Sequence, residues 1–202
     1  MRLYSNAMSP YGRKVAVVIH ALGLGERIQQ IPAQPRERPD EVIAVNPLGK
    51  IPVLVTEDGL CLRDSPVIAE YLCDCFGGES LLPRSGTERW RIMVEMADAD
   101  AIIESAVLVK NERTRPDIQQ SASFITEHLG KIERGLAAVE AMAAELAGRR
   151  DLGAIAIGCA LGYVPRRVPE HAGLARFPAA ARVYGALQGW PPFAATEPPG
   201  QI

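Results

Sequence analysis

The sequence predicts a small α/β domain followed by an all-helical domain, and three observations carry this prediction. Short β-branched apolar segments alternate with helix-like segments over the first 80 residues. A turn-rich stretch, "GGESLLPRSGT", then interrupts the pattern. Beyond it, apolar residues recur at the three- and four-residue spacing of amphipathic helices. We therefore expect an α/β domain over 1–78, a linker over 79–86 and an all-helical domain over 87–202.

The first domain is predicted to follow the order strand, helix, strand, helix, strand, strand, helix. The first helix begins at Pro10 and ends at Gly23 or Gly25, and the last one has Ser65 as N-cap and Pro66 at its first position. The sheet would be mixed, since one pair of strands is a hairpin around "EDG". The segments, in chain order, are "RLYS", "PYGRKVAVVIHALGL", "RIQQIP", "PDEVIAVN", "PVLVT", "LCLR" and "SPVIAEYLCDCF".

The second half is predicted to contain two long helices, over 87–112 and 122–148. "DLGAIAIGCALGYV" is apolar on all sides, which indicates a buried central helix with Asp151 as its cap. A further helix is expected over 178–188, followed by an irregular, proline-rich tail.

Composition excludes several classes of function. A net charge of −2 and a pI near 6.0 provide no basic field for nucleic acid or an anionic membrane. The most apolar runs, 15–25 and 152–164, are too short to span a bilayer. The N-terminal residues lack a signal-peptide pattern, so a cytoplasmic location is expected. The four cysteines are not spaced as zinc ligands, so no metal is expected.

Two motifs predict chain segments that could bind a ligand through their backbone groups. In "NPLGKIPVLV", Pro52 fits the first position of a strand, where its missing N–H costs nothing. The bond before it could be cis, which would turn the flanking backbone toward a peptide-like ligand, or it could be an ordinary trans bond. In "RDSPVIAEYL", the helix start at Ser65 would attract a carboxylate, and Asp64 could accept hydrogen bonds from an ammonium. Alternatively, both side chains only cap the helix.

These two motifs and "SPYGRKV", in this order, resemble the glutathione transferase superfamily, in its bacterial, serine-containing type. The resemblance implies a thioredoxin-like first domain, glutathione as co-substrate, no metal, and a homodimer. It also implies that Ile51–Pro52 is cis, and that the backbone of Ile51 pairs with the cysteinyl part of glutathione. Asp64 and Ser65 would hold the γ-glutamyl end, and Lys50 would add a polar contact.

Ser9 is the residue that the resemblance assigns to chemistry. As N-cap before Pro10 it stabilises a helix by about 1 kcal/mol, and this alone would explain its presence. The resemblance places the activating hydroxyl at the same position, where it would favour the thiolate of glutathione for attack on an electrophilic small molecule. Tyr11 and Arg13, in the first turn, would line the glutathione site. Conjugation, peroxide reduction, dehalogenation and isomerisation share this thiolate.

The sequence leaves one alternative function open. A non-catalytic protein of the same fold, serving as a partner-binding or stress-response module, is the alternative function.

The central helix departs from the family's capping box, because Ala154 stands where an acidic residue is common. We expect this departure to lower the stability of the helical domain.

Overall fold

The structure is a computed structural model that describes residues 1–37 and 39–200. It divides into two compact units, one formed by Met1–Arg89 with the segment from Trp190 onward, the other by Trp90–Gly189. Arg38, in the proline-rich stretch, and Gln201 and Ile202, in the predicted irregular tail, lie outside the described residues.

The first unit contains the predicted mixed, four-stranded sheet. Its strands are β1 (Arg2–Ser5), β2 (Gln29–Pro32), β3 (Val53–Val55) and β4 (Cys61–Leu62), in the order β2-β1-β3-β4. β1 and β2 are parallel, whereas β1–β3 and β3–β4 are antiparallel. Leu3 and all of β3 are buried, which places the core of this unit against the centre of the sheet.

The same unit contains three helices before the linker: α1 (Pro10–Ala21), α2 (Pro39–Ile43) and α3 (Ser65–Cys75), of which α3 packs on β3. α1 packs against α3 and buries an apolar face that includes Val15, Val18 and Ile19. It ends where predicted, because Gly23 takes the left-handed conformation (φ +66°) that a C-terminal turn requires. This part of the molecule has the thioredoxin-like architecture expected from the sequence.

The segment after Trp190 differs from the prediction in two respects. The sequence places it in the helical domain, yet it belongs to the first unit. The sequence also predicts an irregular tail, yet the segment contains α9 (Pro191–Ala194). α9 packs on α1, with Phe193 fully buried. The guanidinium of Arg13 lies 4.2 Å from the centre of the Phe193 ring, so a cation–π contact fixes the segment to α1.

The second unit is helical. Its helices, of which the first begins just before the unit boundary, are α4 (Thr87–Arg113), α5 (Ala122–Ala141), α6 (Ala143–Leu146), α7 (Leu152–Arg167) and α8 (Pro178–Gln188). Short 3-10 turns at Asp117–Gln119 and Pro169–Leu174 were not predicted. The long helix expected over 122–148 is two helices that meet at Met142. No helix among the described residues is long and apolar enough to cross a membrane.

α7 is the predicted buried helix, and Asp151 is its N-cap, accepting a hydrogen bond from the Ala154 N–H at 3.1 Å. Because position 154 is alanine, α7 lacks an acidic side chain in its own first turn, and a carboxylate from another helix lies there instead. Glu95 of α4, only 5% exposed, pairs with Arg149 at 2.5 Å, and Arg149 in turn pairs with Asp151 at 2.7 Å. These two carboxylates hold the pKa of Arg149 above its usual value although burial acts to lower it.

Candidate active site

The three sequence motifs meet at one end of the sheet. β1 and β3 are antiparallel with Tyr4 opposite Val53, so the end of β1 and the beginning of β3 lie side by side. β3 and β4 are antiparallel with Leu54 opposite Leu62, so the residues after β4 lie at that end too. Ser9 follows β1, Ile51–Pro52 precedes β3, and Asp64–Ser65 follows β4.

Ser9 is the N-cap of α1, as predicted. Its Oγ accepts a hydrogen bond from the Gly12 N–H at 3.1 Å, and its own N–H donates to the Asn6 carbonyl at 2.9 Å. The hydroxyl hydrogen has no acceptor among the residues that the structure describes. Capping therefore uses the oxygen and leaves the proton available for a ligand.

A second hydroxyl, that of Ser5 at the end of β1, lies beside Ser9; from the sequence Ser5 is a weaker candidate than Ser9. A Cβ on Gly12 would lie 2.1 Å from Ser5 Oγ and 3.3 Å from Ser9 Cβ, so the two serines flank this glycine. Within the described residues, Ser5 Oγ has no hydrogen-bond partner. The available signal was the two-residue period of β1, which puts Ser5 on the same face of the strand as the buried Leu3.

The Ile51–Pro52 peptide bond is cis. Neither the N–H nor the C=O of Ile51 forms a backbone hydrogen bond with the described residues, which leaves both groups for an extended ligand. The preceding turn is held by Asn46, which is 3% exposed, donates to the Lys50 carbonyl at 2.8 Å and accepts from the Leu48 N–H at 3.1 Å. Asn46 is a positioning residue that the Asn-Pro pair could have indicated. The Lys50 side chain is exposed.

At the start of α3 the structure corrects the prediction by one residue. The N-cap is Asp64, whose Oδ1 accepts from the Ser65 N–H at 2.7 Å, and Ser65 is the first helical residue. The Ser65 hydroxyl is thereby released from capping. It is fully buried and has no hydrogen-bond partner in the part of the chain described. Such a group is costly unless a ligand satisfies it.

Arg13 has a different environment from the one predicted. Its side chain is only 3% exposed and pairs with Glu197 at 2.5 Å. It also donates to the Phe193 carbonyl at 3.5 Å and to Thr196 Oγ1 at 3.4 Å. The guanidinium of Arg13 is therefore paired with groups of the C-terminal segment, because a buried charge requires partners close by. Tyr11, beside it in the first turn of α1, is half-buried.

A cavity of about 550 Å³ opens within the first unit beside α1. Its walls include Ser5, Met8 and Gly12, which surround Ser9 in sequence or in space, and Gln34 of the loop after β2. Thr196 closes one side from the C-terminal segment. The volume suits a small organic molecule.

Two further observations concern the Cys73 thiol and the side chains that could hold a metal ion. Burial raises the pKa of Cys73 to about 12, so this thiol stays protonated at neutral pH. In residues 1–37 and 39–200 no group of three or more His, Cys, Asp or Glu side chains is placed to hold a metal ion.

Comparisons with known proteins agree with this geometry. Residues 8–75 match the family model "Glutathione S-transferase, N-terminal domain". Over 202 residues the chain is 34% identical to the "Uncharacterized GST-like protein YibF" of Escherichia coli K12, covering 98% of this chain and 99% of that protein.

Two solved structures are similar over the whole chain. A glutathione transferase family member from Pseudomonas fluorescens Pf-5 with bound glutathione has a TM-score of 0.93 and 37% identity, covering 98% of this chain and 99% of that one. A glutathione S-transferase from Methylobacillus flagellatus KT with glutathione bound has a TM-score of 0.91 and 32% identity, with the same coverage. The chain belongs to the glutathione transferase superfamily.

Proposed function

We propose that this protein binds glutathione at the end of the sheet where the three motifs meet and activates its thiol for attack on an electrophilic small molecule. The thiol is mostly protonated in free solution, with a pKa of about 8.5. In this proposal the Ser9 hydroxyl donates its hydrogen bond to the sulfur, and the N-terminus of α1 adds a favourable dipole. Both interactions favour the thiolate, which is the nucleophile.

The observation that carries the proposal is the fully buried, unpartnered hydroxyl of Ser65 at the start of α3. In the proposal it donates to the carboxylate of the γ-glutamyl group, and the Asp64 carboxylate receives the ammonium. The unpaired N–H and C=O of Ile51 would bind the cysteinyl backbone, and Lys50 would contact the peptide from the rim. Arg13 is left out of this contact set because its guanidinium is already paired.

The electrophile is proposed to enter the cavity beside α1, where Ser5 and Gln34 can donate hydrogen bonds to a carbonyl or nitro oxygen. A homodimer is part of the proposal, and it is supported by exposed apolar side chains: Leu60 and Val67 in the first unit, Trp90 and Val94 in the second. A cytoplasmic location is proposed as well, since the cytosol holds a glutathione pool.

The test is a pH titration of the bound thiol, followed by thiolate absorbance, in the wild type and in Ser9→Ala. We expect the wild type to lower the thiol pKa below its free value. Ser9→Ala should bind glutathione but raise that pKa by one to two units, which leaves about ten- to hundredfold less thiolate. Turnover of a general electrophile should fall by a similar factor.

Loss of a helix cap is a confounding effect that a matched variant removes. Ser121 caps α5 as Ser9 caps α1, accepting from the Phe124 N–H at 3.3 Å. Ser121→Ala should cost a similar stability, about 1 kcal/mol, and leave the thiol pKa unchanged. If glutathione binds to the wild type and to Ser9→Ala without a change in its thiol pKa, Ser9 is only a cap. If glutathione does not bind, the partner-binding alternative replaces the enzyme.

A further inference from the structure

The turn that leads from β1 into α1 is closed by one residue, Asn6, through both its backbone and its side chain. The Asn6 carbonyl accepts a hydrogen bond from the Ser9 N–H at 2.9 Å, and the side-chain Oδ1 accepts one from the Met8 N–H at 2.8 Å. Asparagine favours such turns because its side chain bonds the backbone two residues further on. The backbone that carries Ser9 is therefore held by Asn6.

The side-chain nitrogen of Asn6 connects this turn to the neighbouring strand. It donates to Gln34 Oε1 at 2.8 Å and to the Ala33 carbonyl at 3.4 Å. Ala33 is 2% exposed, and its own N–H donates to the Ser5 carbonyl at 2.8 Å, just beyond the last paired residues of β1 and β2. Asn6 thus extends the pairing of these two strands past Ser5 and anchors the turn to the sheet.

The turn before the cis peptide bond is built in the same way around Asn46. Its Oδ1 accepts from the Leu48 N–H at 3.1 Å, and its carbonyl accepts from the Gly49 N–H at 2.8 Å. The side-chain nitrogen of Asn46 donates to the Lys50 carbonyl at 2.8 Å, directly before Ile51. Two asparagine turns of the same construction therefore precede the proposed thiol-activating hydroxyl and the proposed peptide-binding backbone.

We propose that Asn6 is a positioning residue that sets where the Ser9 hydroxyl lies relative to the sulfur of bound glutathione. This inference rests on the function proposed above. The Ser9 side chain has one hydrogen bond within the described residues, from the Gly12 N–H, so its position depends on the backbone on either side. A hydrogen bond weakens steeply as its angle departs from the optimum. Loosening the turn therefore lowers the thiolate fraction without removing a group that contacts glutathione.

The first measurement is the thiol pKa of bound glutathione, followed by thiolate absorbance, in the wild type and in Asn6→Ala. We expect Asn6→Ala to raise that pKa by about 0.5 to 1 unit, which leaves about three- to tenfold less thiolate. S-methylglutathione has no ionisable thiol, and both proteins should bind it with equal affinity. A residue that only stabilised the fold would not separate thiol acidity from affinity in this way.

Asn46→Ala is the matched control, because it opens a turn of the same construction. It should weaken the binding of S-methylglutathione by about fivefold or more and leave the thiol pKa of bound glutathione unchanged.

Gln34→Ala tests the anchor from its other side. Gln34 is exposed, so its replacement leaves the core intact even where Asn6→Ala does not fold. The thiol pKa should rise by less than in Asn6→Ala. The double variant should have the same pKa as Asn6→Ala alone, because the two side chains act through one contact.

A further measurement does not depend on glutathione. Amide hydrogen exchange at the Ser9 N–H should be about fivefold faster in Asn6→Ala than in the wild type, because the turn opens more often. Exchange within α3 should stay the same.

The outcomes separate this inference from the function on which it rests. If Ser9→Ala raises the thiol pKa but folded Asn6→Ala and Gln34→Ala do not, Asn6 is not a positioning residue and the proposed function stands. A loss of S-methylglutathione affinity in Asn6→Ala, or unchanged exchange at the Ser9 N–H, likewise overturns the inference. If the wild type does not bind glutathione, or binds it without lowering the thiol pKa, both proposals are wrong.

Discussion

Ser65 occupies a position where stability and ligand binding make opposite demands. Its hydroxyl is fully buried and has no hydrogen-bond partner within the described residues. Without a ligand, this hydroxyl therefore lowers the stability of the fold. A serine retained only for structure would have a hydrogen-bond partner. Ser65 therefore costs stability when no ligand is bound and gains a hydrogen-bond partner when one binds, as expected of a ligand-binding residue.

Replacing Ser65 by alanine should separate the two roles. We expect the unliganded variant to be as stable as the wild type, or more stable by up to about 1 kcal/mol, because an unsatisfied hydroxyl is removed. Glutathione should bind about tenfold or more weakly, since a hydrogen bond to a charged group is lost. Thermal unfolding with and without glutathione measures both. A variant that is clearly destabilised when empty would show that the hydroxyl is structural.

Gly12, in the first turn of α1, leaves room for the side chains of Ser5 from β1 and Ser9 from the N-cap. An added methyl group would lie 2.1 Å from Ser5 Oγ. We expect Gly12→Ala to destabilise the protein by about 1 to 3 kcal/mol through overpacking, as measured by chemical unfolding. The double variant Ser5→Ala, Gly12→Ala should recover most of this loss, because the nearest remaining contacts are 3.3 and 3.4 Å. Lack of recovery would mean that the cost arises elsewhere in the turn.

At the scale of single elements, the start of α7 depends on a residue from another helix. Glu95 is buried beside Gly153, whose Cβ would lie 2.2 Å from the Glu95 carboxylate. The glycine in the first turn therefore makes room for the carboxylate that pairs with Arg149. This arrangement fixes α4 to the beginning of α7 by charge as well as by packing.

Glu95→Ala should consequently be strongly destabilising. Removing it leaves Arg149 without its most buried partner, and breaking a buried pair typically costs about 3 to 5 kcal/mol. Glu104→Ala, at an exposed position of the same helix, should change stability by less than about 0.5 kcal/mol. Urea unfolding of both variants checks the difference. Similar small effects in the two would mean that the network adds nothing to the fold.

Element order and helix capping could be predicted because their causes are local. Apolar periodicity indicated the strands and helices, and the caps at Ser9 and Asp151 lie next to the turns they satisfy. The partner of Arg13 could not be predicted, since Glu197 is 184 positions away in the chain. The free hydroxyl of Ser65 was missed for a subtler reason, because it depends on α3 being capped one residue earlier.

At the scale of the whole molecule, one buried histidine links stability to pH. His171 is 6% exposed, and its Nδ1 lies 3.6 Å from Glu133 Oε2 without a hydrogen bond. Burial lowers the pKa of His171 below its usual 6.5, although the nearby Glu133 and Glu170 act to raise it and Arg176 acts to lower it. The fold therefore favours the neutral ring.

The sign of the pH effect follows from this shift. His171 contributes its full stability above about pH 6.5, and the contribution is lost as pH falls through the lower pKa of the folded state. We expect the free energy of unfolding to decrease as pH falls below about 6.5, and His171→Gln to flatten that decrease. His20→Gln, at an exposed position of α1, should keep the wild-type profile. An unchanged slope in His171→Gln would assign the pH dependence to the carboxylates.

The return of residues after Trp190 to the first unit has a consequence for biosynthesis. The 100 residues from Trp90 to Gly189 leave the ribosome before Phe193 and Glu197 do. Until then Arg13 has neither the ring nor the carboxylate that it contacts in the folded protein. The unit synthesised first is thus completed only late in translation. A nascent chain that stalls within α8 would lack the C-terminal residues that contact Arg13. Chaperones would then bind a first unit that has not completed its fold.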